Sequence, residues 1–441
     1  MLNLALLLLV IALVVFATTK LRLHPFLTLL FAAILMGFLG GLDSEALLAK
    51  LTEGFGNTLK SVGIVIACGT IIGTFLERTG GANTIAAFVV GMVGEKRSPL
   101  AMSITGFIVS IPVFCDSGFV ILSTINKALS KKTGVSLAVL AVALSTGLYT
   151  THVFVPPTPG PLAAAGTLGA DIGLVLILGL VVAVPTAGAG LIWALLYASK
   201  FPIVPKDIPT SENENREQES NALRAFAPLI VPLLLIALRS VSDYPAAPLG
   251  EGTLREAVRF VGNPVIALLV GVLLVIGMRK QVSAKTAFHW VTKGLENAGS
   301  IILITGAGGA FGNILRATGI ADSIAQGMEQ LQLGVFLPFV IAAVLKSAQG
   351  SSTVAIITTA ALVSPLLDPM GLTAPAAKAL VVLAIGAGSM TVSHFNDSYF
   401  WVVSQFSEMD SATALRCHTG ATLVQGLVGI VSIAILASIL V

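Results

Sequence analysis

The sequence predicts an all-α polytopic membrane protein built from two repeated halves. Three observations carry that expectation. Apolar residues fill 55% of the 441 positions and charged residues only 11%. The mean hydropathy is +0.95, and a run of the first half recurs in the second. A water-soluble chain of this length needs a charged surface that such a composition cannot supply. The apolar segments also lack the in-out alternation of barrel strands, so helices must satisfy the backbone's polar groups inside the bilayer.

The first apolar segment, 2–19, ends at Lys20 and Arg22. A secretory signal carries its positive charges before the apolar run. Here they follow it, so the segment is expected to remain a membrane helix, with its N-terminus outside. Crossing a core of about 30 Å takes roughly 20 helical residues. Further apolar stretches lie near 25–42, 61–76, 135–151, 172–198, 226–241, 260–278, 297–315, 375–393 and 419–441. With the interrupted stretches 99–126 and 334–366, these predict about 10–12 transmembrane helices. Residues 200–224, rich in proline and acids, read as a solvated linker between a first repeat, 1–199, and a second, 225–441.

Gly73 to Ala86 aligns without gaps on Gly312 to Ala325. Small residues in membrane helices would explain the shared Gly and Ala. They do not explain Leu76 with Leu315, Thr79 with Thr318 and Ile85 with Ile324 in one register. Each half then reaches an interrupted apolar segment followed by a histidine: Ser110 to Gly118 and Thr150 to Pro161 in the first, Lys346 to Thr353 and Gly388 to Ser398 in the second. Matched interruptions of this kind mark secondary transporters with discontinuous helices, and inverted halves would account for the arrangement.

At such a break the next half-helix presents free N–H groups and a positive dipole end, which suits a carboxylate. Ser117, Gly118, Gln349, Gly350, Ser351 and Ser352 stand at these breaks and are expected to bind it. Asp116 and Asp397 lie in apolar surroundings, where an unpaired carboxylate costs about 2.5–3.5 kcal/mol. They read either as proton carriers and hydroxyl ligands or as caps of broken helices. His152 and His394, beside Thr151 and Ser393, are candidates for substrate contact or proton coupling. Pro156, Pro157, Pro159 and Pro161 exclude regular helix and leave the Thr158 hydroxyl available. Lys346 is expected to snorkel to the interface rather than pair with a substrate. His24, His289 and His418 have no such counterpart and read as solvated or interfacial. Lys127, Lys131 and Lys132 read as a cytoplasmic loop. Cys68, Cys115 and Cys417 lack disulfide or zinc spacing, so no metal or cofactor is expected. The net charge of +3 is small and scattered, against nucleic-acid binding.

At these residues the chain resembles the gluconate permease family of gluconate:proton symporters. The motifs are Gly54-Phe55-Gly56, Gly69-Thr70, Ile111-Pro112-Val113-Phe114 with Asp116 and Gly118-Phe119-Val120, Thr151-His152 with Val155-Pro156-Pro157 and Pro159-Gly160-Pro161, and Gly388-Ser389 with Ser393-His394 and Asn396-Asp397. The resemblance implies proton-coupled uptake of sugar acids or related hydroxy acids across a bacterial inner membrane, by a fold with re-entrant hairpins and broken helices. The chain has Thr158, Cys115 and Ser117 where members usually carry His, Phe and an apolar residue. A smaller, less basic pocket follows, which leaves gluconate, ketogluconate-like acids, D-serine and shorter hydroxy acids open.

The expected function is therefore import of a small hydroxylated carboxylate. Ser117, Gly118, Ser351 and Ser352 would bind its carboxylate, and His152, Thr158, Asn396 and Asp397 its hydroxyls, with Asp116, Asp397, His152 or His394 carrying the proton. Partners are a small anion, protons and the lipid bilayer; sodium coupling and a homodimer stay open. A membrane-embedded hydrolase is the rival class, but no recognisable arrangement of nucleophile, base and orienting group is present. A passive channel is the other rival, distinguished by its inability to accumulate substrate.

Overall fold

The computed structural model describes residues 23–205, 222–242, 252–277, 283–318, 334–395 and 397–441, with positions 10, 13, 14, 16, 17 and 21. Most of the expected helix 2–19, the linker from 206 to 221 and the second repeat copy beyond Thr318 lie outside these residues. The described elements are helices: α1 (Pro25–Leu39), α2 (Ser44–Arg78), α3 (Gly81–Val93), α4 (Ser98–Val109), α5 (Cys115–Thr133), α6 (Leu137–Phe154), α7 (Pro159–Leu168) and α8 (Ile172–Leu196) in the first half. The second half holds α9 (Ala222–Ser242), α10 (Thr253–Val261), α11 (Pro264–Gly277), α12 (Ala284–Ala317), α13 (Phe336–Gln349), α14 (Ser352–Val363), α15 (Pro375–Met390), α16 (Ser398–Phe406) and α17 (Gly420–Leu440).

Among the described residues six helical runs are long and apolar enough to cross a membrane, or seven if the pair α10 and α11, bent by 63°, counts as one. α1, α3, α13, α14 and α15 are apolar but shorter. Start signals are local. Asp43 accepts the Ala46 N–H at 2.8 Å, Asp171 that of Leu174 at 2.7 Å and Ser283 that of Thr286 at 3.1 Å, each satisfying a donor with no carbonyl inside its helix.

The long helices α2 and α12 pack along each other. α1 lies on α12 and α11 on α2, so an early helix of each half rests on the long helix of the other. α6 and α15 form the interior. Every residue of α6 is buried, which explains why its apolar pattern shows no face. α4 packs on α6 and α13 on α15, and both contacts depend on a glycine. A Cβ on Gly147 would meet the Ser103 carbonyl oxygen at 2.2 Å, and one on Gly388 would meet that of Phe339 at the same distance. Small residues let the backbones approach to van der Waals contact, the main attraction between helices in lipid. α8 and α17 close the same interior by packing on each other and on α6 and α15.

Candidate functional site

Four interruptions separate the half-helices, in two corresponding pairs: α4 to α5 and α13 to α14, then α6 to α7 and α15 to α16. Between α4 and α5 the Ser110 hydroxyl donates to the Val113 carbonyl at 2.9 Å. Between α13 and α14 the chain turns on Gly350, whose φ of 83° suits glycine, and Ser351 caps α14 through the Val354 N–H at 3.3 Å. Between α6 and α7 lies a cis Pro156-Pro157 bond, with the Thr158 hydroxyl on the Val155 carbonyl at 2.7 Å. Between α15 and α16, Asp397 accepts the Tyr399 N–H at 3.1 Å.

These starts are not equivalent toward an anion. α7 opens with Pro159 and Pro161, which have no N–H to offer. α16 has its own carboxylate, Asp397, on its first turn. α5 likewise carries Asp116 on its first turn, and Ser351 takes the Val354 N–H of α14; the other first-turn N–H groups of these two helices have no intrahelical carbonyl to meet. Both reach one cavity of about 250 Å³, lined by Phe114, Cys115 and Asp116 from the first and by Ser351, Ser352 and Thr353 from the second. His152, Asp397, Ser398 and Tyr399 line it too, with Ser300, Ile301, Ile304, Val354 and Ile357 completing the wall.

Charge inside the cavity is partly neutralised. Lys346 is 1% exposed; its ammonium pairs with the Asp397 carboxylate and donates to the Gly350 carbonyl. The Ser393 hydroxyl donates to the same carboxylate oxygen. The expectation that Lys346 snorkels is thus corrected: a carboxylate and a helix-end carbonyl satisfy it internally, so it has no need of the interface. Asp397 in turn combines the cap and an ion pair. Asp116 accepts long bonds, from the Ser398 hydroxyl at 3.4 Å and from the Cys115 thiol at 3.9 Å, and its own backbone N–H also faces the carboxylate. His152 is 4% exposed, and its Nδ1 has no hydrogen-bond partner among the described residues. Its ring lies 5.9 Å from Phe114 and 6.5 Å from Tyr149.

Asp116, His152, Ser351, Ser352 and Asp397 are the sequence candidates that share the cavity. The others stand around it. Ser117 sits beside the Glu77 carboxylate, Gly118 packs under Leu148, and Thr151 points its hydroxyl at the Leu148 carbonyl, 3.5 Å away. Thr158 is occupied by Val155 as described, Gly350 supplies a carbonyl to Lys346, and Ser393 braces Asp397. His394 has its Nε2 3.1 Å from the Ser347 carbonyl and does not line the cavity. Asn396 and the Gln349 side chain lie outside the described residues. His418 overturns its expected exposure. It is fully buried, with Nδ1 3.3 Å from the Ser145 hydroxyl and Nε2 3.3 Å from that of Ser393. It lies in the helical run that leads into α17 and is buried by Ser145 of α6 and by Ser393, neighbours distant in sequence that leave no local sign. Ser300, Thr353, Ser398 and Tyr399 were missed as well, although Ser398 and Tyr399 directly follow Asp397 and fall within the first turn of α16. Among the described residues no cluster of three or more His, Cys, Asp or Glu could hold a metal ion.

A family model described as GntP family permease matches residues 2–440. The gluconate permease of Pseudomonas aeruginosa is 34% identical over 431 residues, covering 96% of this chain and 94% of the relative. The D-serine transporter DsdX of Escherichia coli K12 is 30% identical over 447 residues, covering 98% of both. Among solved structures, the YdaH transporter of Alcanivorax borkumensis superposes with a TM-score of 0.70 at 14% identity, covering 95% of this chain and 99% of that one. At that identity the likeness speaks for the fold.

Proposed function

The chain belongs to the GntP permease family, a multi-pass transporter of the bacterial inner membrane, and from that premise we propose that it imports a small hydroxylated carboxylate in symport with a proton. The observation that carries this reading is the convergence of the α5 and α14 starts on one cavity with hydroxyls and an imidazole whose Nδ1 has no partner among the described residues. The carboxylate would take N–H groups from both starts together with the Ser351 and Ser352 hydroxyls; charge-assisted bonds of this kind contribute about 1.5–3 kcal/mol each. His152 would bond a substrate hydroxyl through Nδ1. Residues 1–199 and 225–441 would act as two repeats joined by the linker 200–224, one moving against the other around the site.

The arrangement of charges supports the proton-coupled reading. Lys346 makes its direct ion pair with Asp397, and Asp116 feels the same ammonium only from beyond ion-pair distance, beside a second carboxylate. A substrate carboxylate entering beside an ionised Asp116 would place two like charges in one small cavity. Entry together with a proton on Asp116 removes that repulsion. The named relatives transport gluconate and D-serine, both of which join a carboxylate to a hydroxyl. A second reading draws on Asp116 alone: an amino acid such as D-serine could bring its ammonium to this carboxylate and need no proton.

A thermal-shift screen of the purified protein separates these cases. Stabilisation by hydroxy acids and sugar acids, but not by their amides or by neutral sugars, is the expected result. A response confined to neutral sugars refutes anion binding, and one confined to D-amino acids selects the second reading.

A further inference from the structure

We propose that the turn leading into α17 is a positioning element of the substrate site, in which Thr419 and Thr422 hold Ser393 and, through it, the pair of Asp397 and Lys346; this rests on the assignment of the cavity as the substrate site. Between Met390 and Ser398 the chain leaves helix at the junction of α15 and α16. Backbone groups released there must find partners inside the protein, since lipid offers none. Val392 stands in this stretch with a φ of 57°. That left-handed conformation is strained for a β-branched residue and persists only where its surroundings impose it.

The next residue, Ser393, is fully buried, and both of its peptide groups are held from α17. Its N–H donates to the Thr422 hydroxyl at 3.0 Å, and its carbonyl accepts from the Thr419 hydroxyl. Thr422 gives its own proton to the Thr419 carbonyl at 3.0 Å, so its oxygen is left to accept. Leu415–Thr419 form a single π-helical turn, a rare geometry frequent at functional sites. Thr419, Thr422 and Gly426 follow at helical spacing and share one face. A Cβ on Gly426 would meet the Thr391 hydroxyl at 2.1 Å, so glycine lets that face close on the end of α15. The turn has its own anchors. The Cys417 carbonyl accepts the indole N–H of Trp193 at 3.0 Å, and the Gln425 amide donates to the Thr146 carbonyl and the Thr150 hydroxyl at 3.0 and 2.8 Å.

From Ser393 the bonds run on into the site. Its hydroxyl, 3.3 Å from His418 Nε2, donates to Asp397 Oδ2. Lys346 meets the same oxygen and donates to the Gly350 carbonyl, where the chain turns into α14. An unbroken series of hydrogen bonds thus joins α17 to one of the two helix starts that reach the cavity. Ser393, Thr419 and Thr422 do not line the cavity, whereas Asp397 does. Their effect on a bound acid therefore passes through Asp397 and Lys346.

The test is uptake of labelled D-erythronate and D-gluconate, four and six carbons long, by reconstituted wild type, Thr419→Val, Thr422→Val, Ser393→Ala and the double variant of the last two. Thr419→Ser and Thr422→Ser keep the hydroxyls that valine deletes. For the better-used acid, KM should rise by about tenfold in the valine variants and in Ser393→Ala, as small misplacements of a binding group do. It should return to near wild type in the serine variants. The double variant should be no worse than the more severe single one, because both changes interrupt one series of bonds. A role confined to folding would lower the amount of active protein and leave KM unchanged. Should the valine variants fail to fold, Ser393→Ala, which keeps both peptide bonds to α17, carries the test. Unchanged KM in Ser393→Ala or in the folded valine variants, or independent effects that multiply in the double variant, overturns the positioning role and leaves the substrate site standing. Transport of neither acid by wild type removes the substrate-site reading and this inference with it.

Discussion

Replacing Asp397 by Asn tests the buried ion pair with little collateral damage. Asparagine caps a helix as well as aspartate does, so the bond to the Tyr399 N–H can persist. What disappears is the negative charge that faces Lys346, which is 1% exposed and otherwise has the Gly350 carbonyl and, 5.8 Å away, the Tyr149 ring. Leaving one member of a buried pair uncompensated costs about 3–5 kcal/mol. Replacing Lys346 by Met as well removes the orphaned ammonium at similar volume. The double variant should therefore recover most of the lost stability, while uptake stays abolished in both because the site has lost its charge pattern. Thermal unfolding of the detergent-purified single variants, Asp397→Asn and Lys346→Met, and of the double variant forms a cycle whose coupling measures the pair. Wild-type stability in Asp397→Asn, or a double variant no more stable than the single, would refute the reasoning.

Four further outcomes follow. Asp116→Asn should retain counterflow of a hydroxy acid in proteoliposomes but lose accumulation driven by an inward proton gradient; retained pH-driven accumulation removes Asp116 from coupling. His152→Leu, which deletes an Nδ1 without a partner among the described residues, should leave thermal stability near wild type and raise KM by about tenfold, worth roughly 1.4 kcal/mol; a large loss of stability with unchanged KM would mark the residue as structural. Ser351→Ala should cost about 1 kcal/mol through the lost α14 cap and also raise KM, read by unfolding and uptake together. Gly388→Val should sharply reduce the yield of folded protein, because even a Cβ lies 2.2 Å from the Phe339 carbonyl oxygen; normal yield would show that α13 and α15 can separate.

Much of this organisation was legible because its signals are local. Proline and glycine announce where helix must stop, and the interruptions at Ser110 to Gly118 and Lys346 to Thr353 became the two helix starts that share the cavity. Carboxylates and histidines in apolar sequence are costly enough to be noticed, which is how Asp116, Asp397 and His152 stood out. Partnership is what local sequence cannot express. Lys346 reads as a snorkelling residue until Asp397, 51 positions later, is placed against it. His418 looks like a helix-end residue until Ser145 and Ser393, from two different parts of the chain, are found at its ring nitrogens. Ser117 and Thr158 stand at the expected breaks but do not line the cavity, and the bond from the Thr158 hydroxyl to the Val155 carbonyl is another partnership that the sequence does not announce.

The central claim is that a hydroxylated carboxylate and a proton cross together through the cavity between α5 and α14. Its most direct test is uptake of labelled D-erythronate or D-gluconate into proteoliposomes with an acidic exterior and a neutral lumen, with and without a protonophore. The account predicts accumulation above the external concentration that collapses when the protonophore is added. Uptake that merely equilibrates, or accumulates regardless of the pH gradient, would contradict it.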